Sequence, residues 1–247
     1  MLLLKSGRMV KGRQFTAFRD TGDPVSAARI YNAQNADELI FLDIEATLAH
    51  NSFEALERTI INVAQECFMP LTVGGGINSI EKIRHLLLAG ADKVAITTAA
   101  LTTPDLINQS ATLFGRQCIV VGADIKKESN TYYLYSHCGR ERHDIPLKTF
   151  IEDMHERGAG EFLINAIEND GMMQGYDIDL LKTVKQYTNR PVIAAGGAGT
   201  FMHLVDAFKE VPVDAVACAS LFHFGDNNPI RARSYLLNQQ IPMKLIK

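Results

Sequence analysis

Tryptophan is absent from the 247 residues, and cysteine occurs only four times, at Cys67, Cys118, Cys138 and Cys218, never in CxxC spacing. That scarcity excludes a disulfide-stapled secreted scaffold and points to a reducing, cytoplasmic compartment. Cys118 and Cys218 fall in apolar, strand-like runs and read as small buried hydrophobes. Basic excess is missing too: the formal net charge is −3, which gives no global attraction to nucleic acid or to an anionic membrane. No apolar run approaches the roughly 18 residues that span a bilayer. The opening MLLLKSGRMVKG lacks the apolar stretch and small-residue cleavage site of a signal peptide. The seven histidines (His50, His85, His137, His143, His155, His203, His223) show neither HxH nor HExxH spacing, so neither a metal nor another cofactor is expected. Phosphate binding, if any, has to come from local geometry.

What is present is ordinary for a soluble globular protein, 47% hydrophobic and 21% charged. Short β-branched runs alternate with helical periodicity. Strands are expected at Met1–Leu4, Leu39–Asp43, Pro70–Val73, Lys93–Ile96, Cys118–Asp124, Glu161–Asn165, Pro191–Ala195 and Asp214–Cys218. They are continuously apolar, as strands covered on both faces are. Helices are expected at Pro24–Gln34, Asn51–Cys67, Ser79–Leu88, Leu147–Arg157, Asp177–Gln186, Met202–Lys209 and Pro229–Leu237. Thr131–His137 alternates like a hairpin strand and decorates the loop after the fifth strand. Eight right-handed βα units predict one (β/α)₈ TIM barrel spanning residues 1–247.

The chain also repeats itself. Val73–Gly76 matches Ala195–Ala198, Ala91–Ala95 matches Val213–Ala217, and Leu39–Asp43 matches Glu161–Asn165, each at an offset of 122. One offset across three strand pairs predicts two half-barrels, about 1–116 and 117–247.

Function in such a barrel collects at the carboxyl ends of the strands. Gly74–Gly76 and Gly196–Gly197 directly follow strands, where glycine lets backbone N–H groups approach an anion. Thr97-Thr98 and Ala219-Ser220 add hydroxyl and amide donors beside them, and helix N-termini add a favourable dipole. Either glycine motif alone serves equally well as a tight turn. Paired and repeated, they predict two phosphate grips on opposite sides of one mouth, holding a bisphosphorylated ligand. Asp124 ends the fifth strand below that ligand, placed for general acid–base work, with helix capping as the bland alternative. Shifted back by about half a barrel, Asp124 lands on Leu3, where a partner carboxylate would stand and none does. Asp43 and Asn165 are expected on the cleft floor, and Asp170-Gly171 beside the second phosphate. Lys11, in a basic segment, is expected either on a mobile closing loop or as a plain solvated lysine. Glu38, Lys93 and Glu161 open strands two, four and six at the base, as surface salt bridges or as a charged gate.

Lys5–Gly12, Arg19–Pro24, Phe41–Ile44, TVGGGI at Thr72–Ile77, Gly90–Val94, DGMMQGYD at Asp170–Asp177, AAGGAG at Ala194–Gly199 and SLFHF at Ser220–Phe224 together resemble the HisF-type cyclase subunit of imidazole glycerol phosphate synthase. The resemblance covers nearly the whole chain. It implies a HisH-like glutamine amidotransferase partner in a heterodimer, whose ammonia crosses the barrel to the phosphate-bound substrate. By position it makes Asp124 one of two catalytic aspartates and Lys11 the lysine of the closing loop. Gly76, Thr97 and Thr98 then form one phosphate site, with Thr97 in place of the usual asparagine. Asp170, Gly171, Gly197, Ala219 and Ser220 form the other. Glu38, Lys93 and Glu161 become three of four ammonia-gate charges, and Asp92 a partner-interface residue. Leu3 departs from the pattern, standing where the second catalytic aspartate belongs. Leu-Leu-Leu-Lys there is similar to the second HisF copies of surface-polysaccharide pathways, which imply amidation of an acetamido group on a nucleotide sugar.

Overall fold

The computed structural model describes residues 1–46 and 53–244. Its strands are β1 (Leu2–Lys5), β2 (Arg8–Arg13), β3 (Thr16–Gly22), β4 (Leu39–Asp43), β5 (Leu71–Gly74), β6 (Lys93–Ile96), β7 (Ile119–Glu128), β8 (Thr131–Ser136), β9 (Glu141–His143), β10 (Glu161–Ala166), β11 (Val192–Ala195) and β12 (Ala215–Val216). The parallel ladder runs β1-β4-β5-β6-β7-β10-β11-β12. Across the seam the Met1 amine donates to the Cys218 carbonyl at 2.7 Å. The fold is a (β/α)₈ barrel.

Its helices are α1 (Pro24–Ala33), α2 (Phe53–Ala64), α3 (Ile80–Leu88), α4 (Thr98–Thr102), α5 (Asp105–Phe114), α6 (Leu147–Glu156), α7 (Ile178–Lys185), α8 (Phe201–Glu210), α9 (Ser220–His223) and α10 (Pro229–Asn238). Side-chain caps start several of them: Asp23 accepts from the Ser26 N–H, Ser79 from Lys82, Asp177 from Leu180, Thr200 from His203 and Asn228 from Arg231. Each satisfies one of the amides a helix start leaves unpaired. The expected start of α2 at Asn51 lies outside the described residues. Helix α5 was not expected from the sequence; its apolar face (Leu106, Ile107) is interrupted by Ser110, yet all three are buried.

Strand alternation sorts the apolar side chains into two cores. Ile40, Ala95, Val120, Leu163, Ile193 and Ala195 fill the barrel interior, joined by Met1, Leu42, Ala215 and Ala217. Leu2, Leu4, Phe41, Val121, Phe162 and Ile164 face outward and pack against helix residues such as Ile60, Leu86 and Ile107. Cys218 belongs to that outer layer. Cys118, expected in a buried strand, instead sits half-exposed in a single 3₁₀ turn before β7.

The repeat holds in the contacts but not at one offset. The Leu39 N–H bonds the Pro70 carbonyl and the Phe162 N–H bonds the Pro191 carbonyl, so the second and sixth barrel strands correspond at 123. Asp92 and Asp214 each bond the strand before them, at Leu71 and Val192, setting that pair of preceding strands at 121. The fourth and eighth strands keep 122, with Ala95 and Ala217 both inside. A shift of one residue turns a strand side chain to the other face.

Two antiparallel ribbons rise from the mouth. The segment read as a loop around Lys11 is β2–β3, which extends the sheet from β1. Strand β7 runs past the barrel and pairs with β8, which pairs with β9. The ribbons meet where Gly139, in the turn between β8 and β9, packs against the Phe15 ring at the tip of β2–β3. A cavity of about 340 Å³ lies at the opposite end, between β4 and β12, lined by Leu39, Ile40, Ala215, Phe208 and Leu236 among others. Glu38, Asp37, Asp214 and Arg233 also line it; it lies at the strand starts, away from the polar strand ends at the mouth, so it is not the candidate site.

Candidate active site

On β7 the inward parity of Val120 carries through Gly122 to Asp124, so Asp124 points into the mouth. The Asn165 side-chain amide, inward on β10, donates to Asp124 Oδ1 at 3.3 Å. Burial pushes the Asp124 carboxyl up to about 7; the Asn165 hydrogen bond opposes that, and the nearby Asp170 charge adds to it. A carboxyl that titrates near neutrality can both give and take a proton at cellular pH, which is what general acid–base catalysis asks of it.

Leu3 shares the inward parity of Met1 and is buried, so the first barrel strand offers the mouth a hydrocarbon. Asp43 does not join Asn165 on the cleft floor. It follows outward-facing Leu39 and Phe41, and its Oδ1 accepts from the Glu45 and Ala46 N–H groups at 2.9 and 3.1 Å. The one-residue difference in offset explains this: Asn165 corresponds by facing to Leu42, not to Asp43. Asp43 therefore caps the turn that follows β4, and burial outweighs these two bonds in raising its pKa.

The two glycine turns are where the sequence placed them. Gly76 has φ +62, and a Cβ there would lie 2.8 Å from the Ala46 methyl; Gly196 has φ +82, and a Cβ would lie 2.6 Å from the Ala166 carbonyl oxygen and 2.8 Å from Asn165 Oδ1. Both turns thus need glycine for conformation and for space. Gly197 packs against the Gly175 carbonyl and itself accepts from the Gly175 N–H at 2.9 Å. Thr97 precedes α4, its hydroxyl directed at the space that Gly122 leaves open inside the barrel. Thr98 Oγ1 accepts from the His137 N–H at 3.3 Å, so the turn between β8 and β9 rests on the first grip. Ala219 and Ser220 open α9 beside the second.

Lys11 is not solvated. It lies within β2, is 3% exposed, and its Nζ is 2.6 Å from Asp170 Oδ1. Asp170 is equally buried, and its Oδ2, like Asn165 Oδ1, meets no donor among the described residues. The Asp170 carboxylate is thus placed to neutralise Lys11. Gly171 (φ +74) packs directly on the Gly12 carbonyl.

At the base, Lys93 Nζ bridges Glu38 Oε2 at 3.0 Å and Glu161 Oε1 at 2.6 Å. Burial alone would lower the Lys93 pKa; the two carboxylates outweigh it and raise it. The Asp92 carboxylate is occupied by the Leu71 N–H at 2.8 Å, as that of Asp214 is by Val192 at 2.9 Å. This is a strand staple present in both halves.

The sequence profile of the histidine biosynthesis proteins matches residues 1–228. The chain belongs to the histidine biosynthesis protein family. Members of this family are barrel enzymes, isomerases or cyclases, and the arrangement in this chain fits that class: a titratable carboxyl over a barrel core, between two glycine turns. Sequence reasoning missed Cys138. Its thiol donates to the Ile44 carbonyl at 2.7 Å, tying the β8–β9 turn to the loop after β4. Burial raises its pKa to about 11, with the Asp124 charge adding to the rise, so it stays a neutral thiol. No spacing motif marks it; only folding back of the hairpin brings it to the mouth.

Proposed function

We propose that this chain is a HisF-like synthase subunit of a glutamine amidotransferase pair. It takes ammonia from a HisH-like glutaminase docked at the barrel base and adds it to a bisphosphorylated acceptor across the mouth, splitting the acceptor into imidazole glycerol phosphate and an aminoimidazole carboxamide ribotide that leaves with the second phosphate. The observation that carries the reading is Asp124, an inward carboxyl with its pKa near 7 between two glycine turns. The base supports it as well. The Glu38–Lys93–Glu161 trio sits at the strand starts, and Phe68 and Leu88, 85% and 81% exposed, precede β5 and β6 on that end. Exposed aromatic and aliphatic groups around charges suit a protein interface.

Leu3 favours a second reading. With one carboxyl facing hydrocarbon, proton donation and removal on opposite faces of a substrate rest on Asp124 alone. The loss of an acid–base partner costs about 10²–10⁴-fold in rate. A paralogue that uses the ammonia to amidate a nucleotide sugar, or a non-catalytic barrel that activates its amidotransferase, has no need of the pair. Incubating the purified chain with ammonium salt and the phosphoribulosyl aminoimidazole carboxamide precursor decides between them. Ring closure at a rate typical of a synthase supports the first reading; none, together with a clear gain in Leu3→Asp, supports the second. No activity in either protein refutes ring closure as its reaction.

A further inference from the structure

The turn joining β8 to β9 is closed around one buried hydroxyl. Ser136 Oγ lies 2.8 Å from His137 Nδ1 and 2.8 Å from His143 Nε2, and Ser136 is fully buried. Glu141 Oε2 lies 3.0 Å from the same His137 nitrogen. Serine, histidine and glutamate at these distances do not make a nucleophile. A catalytic triad uses both ring nitrogens, whereas here both neighbours share one, and the hydroxyl is closed to substrate. The three groups do fix where each proton sits. A nitrogen facing a carboxylate carries its hydrogen, so His137 Nδ1–H is a donor, shared between Glu141 and Ser136. The Ser136 O–H then has one acceptor among the described residues, His143 Nε2, which places the ring proton of His143 on Nδ1.

This lock holds a backbone that does not form readily by itself. His137, Cys138 and Gly139 follow one another at φ +50, +57 and +77, and the left-handed region is costly for the first two, which carry side chains. Such backbone persists only where its surroundings impose it. From this turn the His137 N–H reaches Thr98 Oγ1 at 3.3 Å, and the Cys138 thiol reaches the Ile44 carbonyl. By accepting there, Thr98 keeps its own O–H free to donate. We propose that Ser136 is a positioning residue for the first grip: locked between two imidazoles, it sets the turn whose amide orients the Thr98 hydroxyl toward a bound phosphate. The positioning rests on the phosphate grips of the proposed function; the proton arrangement of the lock does not.

Nitrogen NMR of isotopically labelled imidazoles reads the lock, and amide shifts during a titration with inorganic phosphate read the grip. The wild type is compared with Ser136→Ala, His143→Leu and His143→Gln, the last of which retains an acceptor for the hydroxyl. In the wild type His143 is expected to be protonated at Nδ1, and in Ser136→Ala to shift toward Nε2. At Gly76 and Thr98, phosphate should bind about tenfold more weakly in Ser136→Ala and His143→Leu, the worth of one hydrogen bond to a charged group. His143→Gln should stay close to the wild type, and Gly197 and Ser220, in the second grip, should respond alike in all four proteins. A wild-type His143 protonated at Nε2 overturns the lock. An unchanged phosphate response at Gly76 and Thr98 in Ser136→Ala overturns the positioning, as does an equal loss at both grips. A wild type whose amides ignore phosphate at both grips refutes the grips themselves, and the positioning with them, whatever the tautomer.

Discussion

Replacing Asp124 with asparagine should make the protein more stable at alkaline pH while removing its activity. Folding moves this carboxyl from its ordinary 3.8 to about 7, so the folded protein holds a proton that the unfolded chain has already released. Between those values the folded state binds more protons, and stability falls as pH rises. The wild type therefore carries no such penalty below pH 3.8, an increasing one up to about 7, and a constant one above. Three pH units at ~1.4 kcal/mol each set a ceiling of ~4 kcal/mol. The mouth admits water, which screens the buried charge, and ~2 kcal/mol is the expected size. Asparagine keeps an oxygen for the Asn165 amide and has no proton to lose, so the variant escapes the penalty. Urea denaturation of both proteins at pH 4, 6 and 8.5 tests this. The variant should match the wild type at pH 4 and exceed it by ~2 kcal/mol at pH 8.5, while turnover drops by about 10²–10⁴-fold. Equal stabilities at pH 8.5, or a gap that does not change with pH, would refute the desolvated, inward-facing Asp124 on which the site is built.

Other expectations follow from the same geometry. Gly196→Ala forces φ +82 on an alanine and drives its methyl to 2.6 Å from the Ala166 oxygen; thermal melts should show a loss of ~1–3 kcal/mol, and calorimetry a more than tenfold weaker affinity for a bisphosphate. Lys93→Met leaves Glu38 and Glu161 facing each other without a cation. Melting should reveal a loss of ~1–3 kcal/mol. Ile60, wholly buried in the outer core, serves as a packing control: Ile60→Ala should cost ~2–5 kcal/mol in urea denaturation at every pH, with activity per folded molecule unchanged.

The barrel was legible because its strands are unbroken apolar runs and its helices carry caps, both of them local signals. Asp124 and the glycine turns were legible for the same reason, since strand parity and a following glycine are properties of a few adjacent residues. Asp43 was misread because matching by letters put it level with Asn165, while backbone contacts set those strands at 123 rather than 122. The eye aligns an aspartate with an asparagine; the sheet aligns facing. The burial of Lys11 was not legible because its partner lies 159 residues away, and nothing near it hints at burial. The ribbon pairing β2 to β3 was missed because its turn, Gln14-Phe15, and the bulge at Ala17 take positive φ without the usual glycine or asparagine.

Strand β7 is one continuous piece of backbone, ten residues from Ile119 to Glu128, buried in the barrel at one end and projecting from it at the other. Asp124 sits at the fulcrum. The outer arm is paired along its length with β8, where Tyr132 donates to Asp177 Oδ1, so the backbone that carries the carboxyl is anchored on both sides of it.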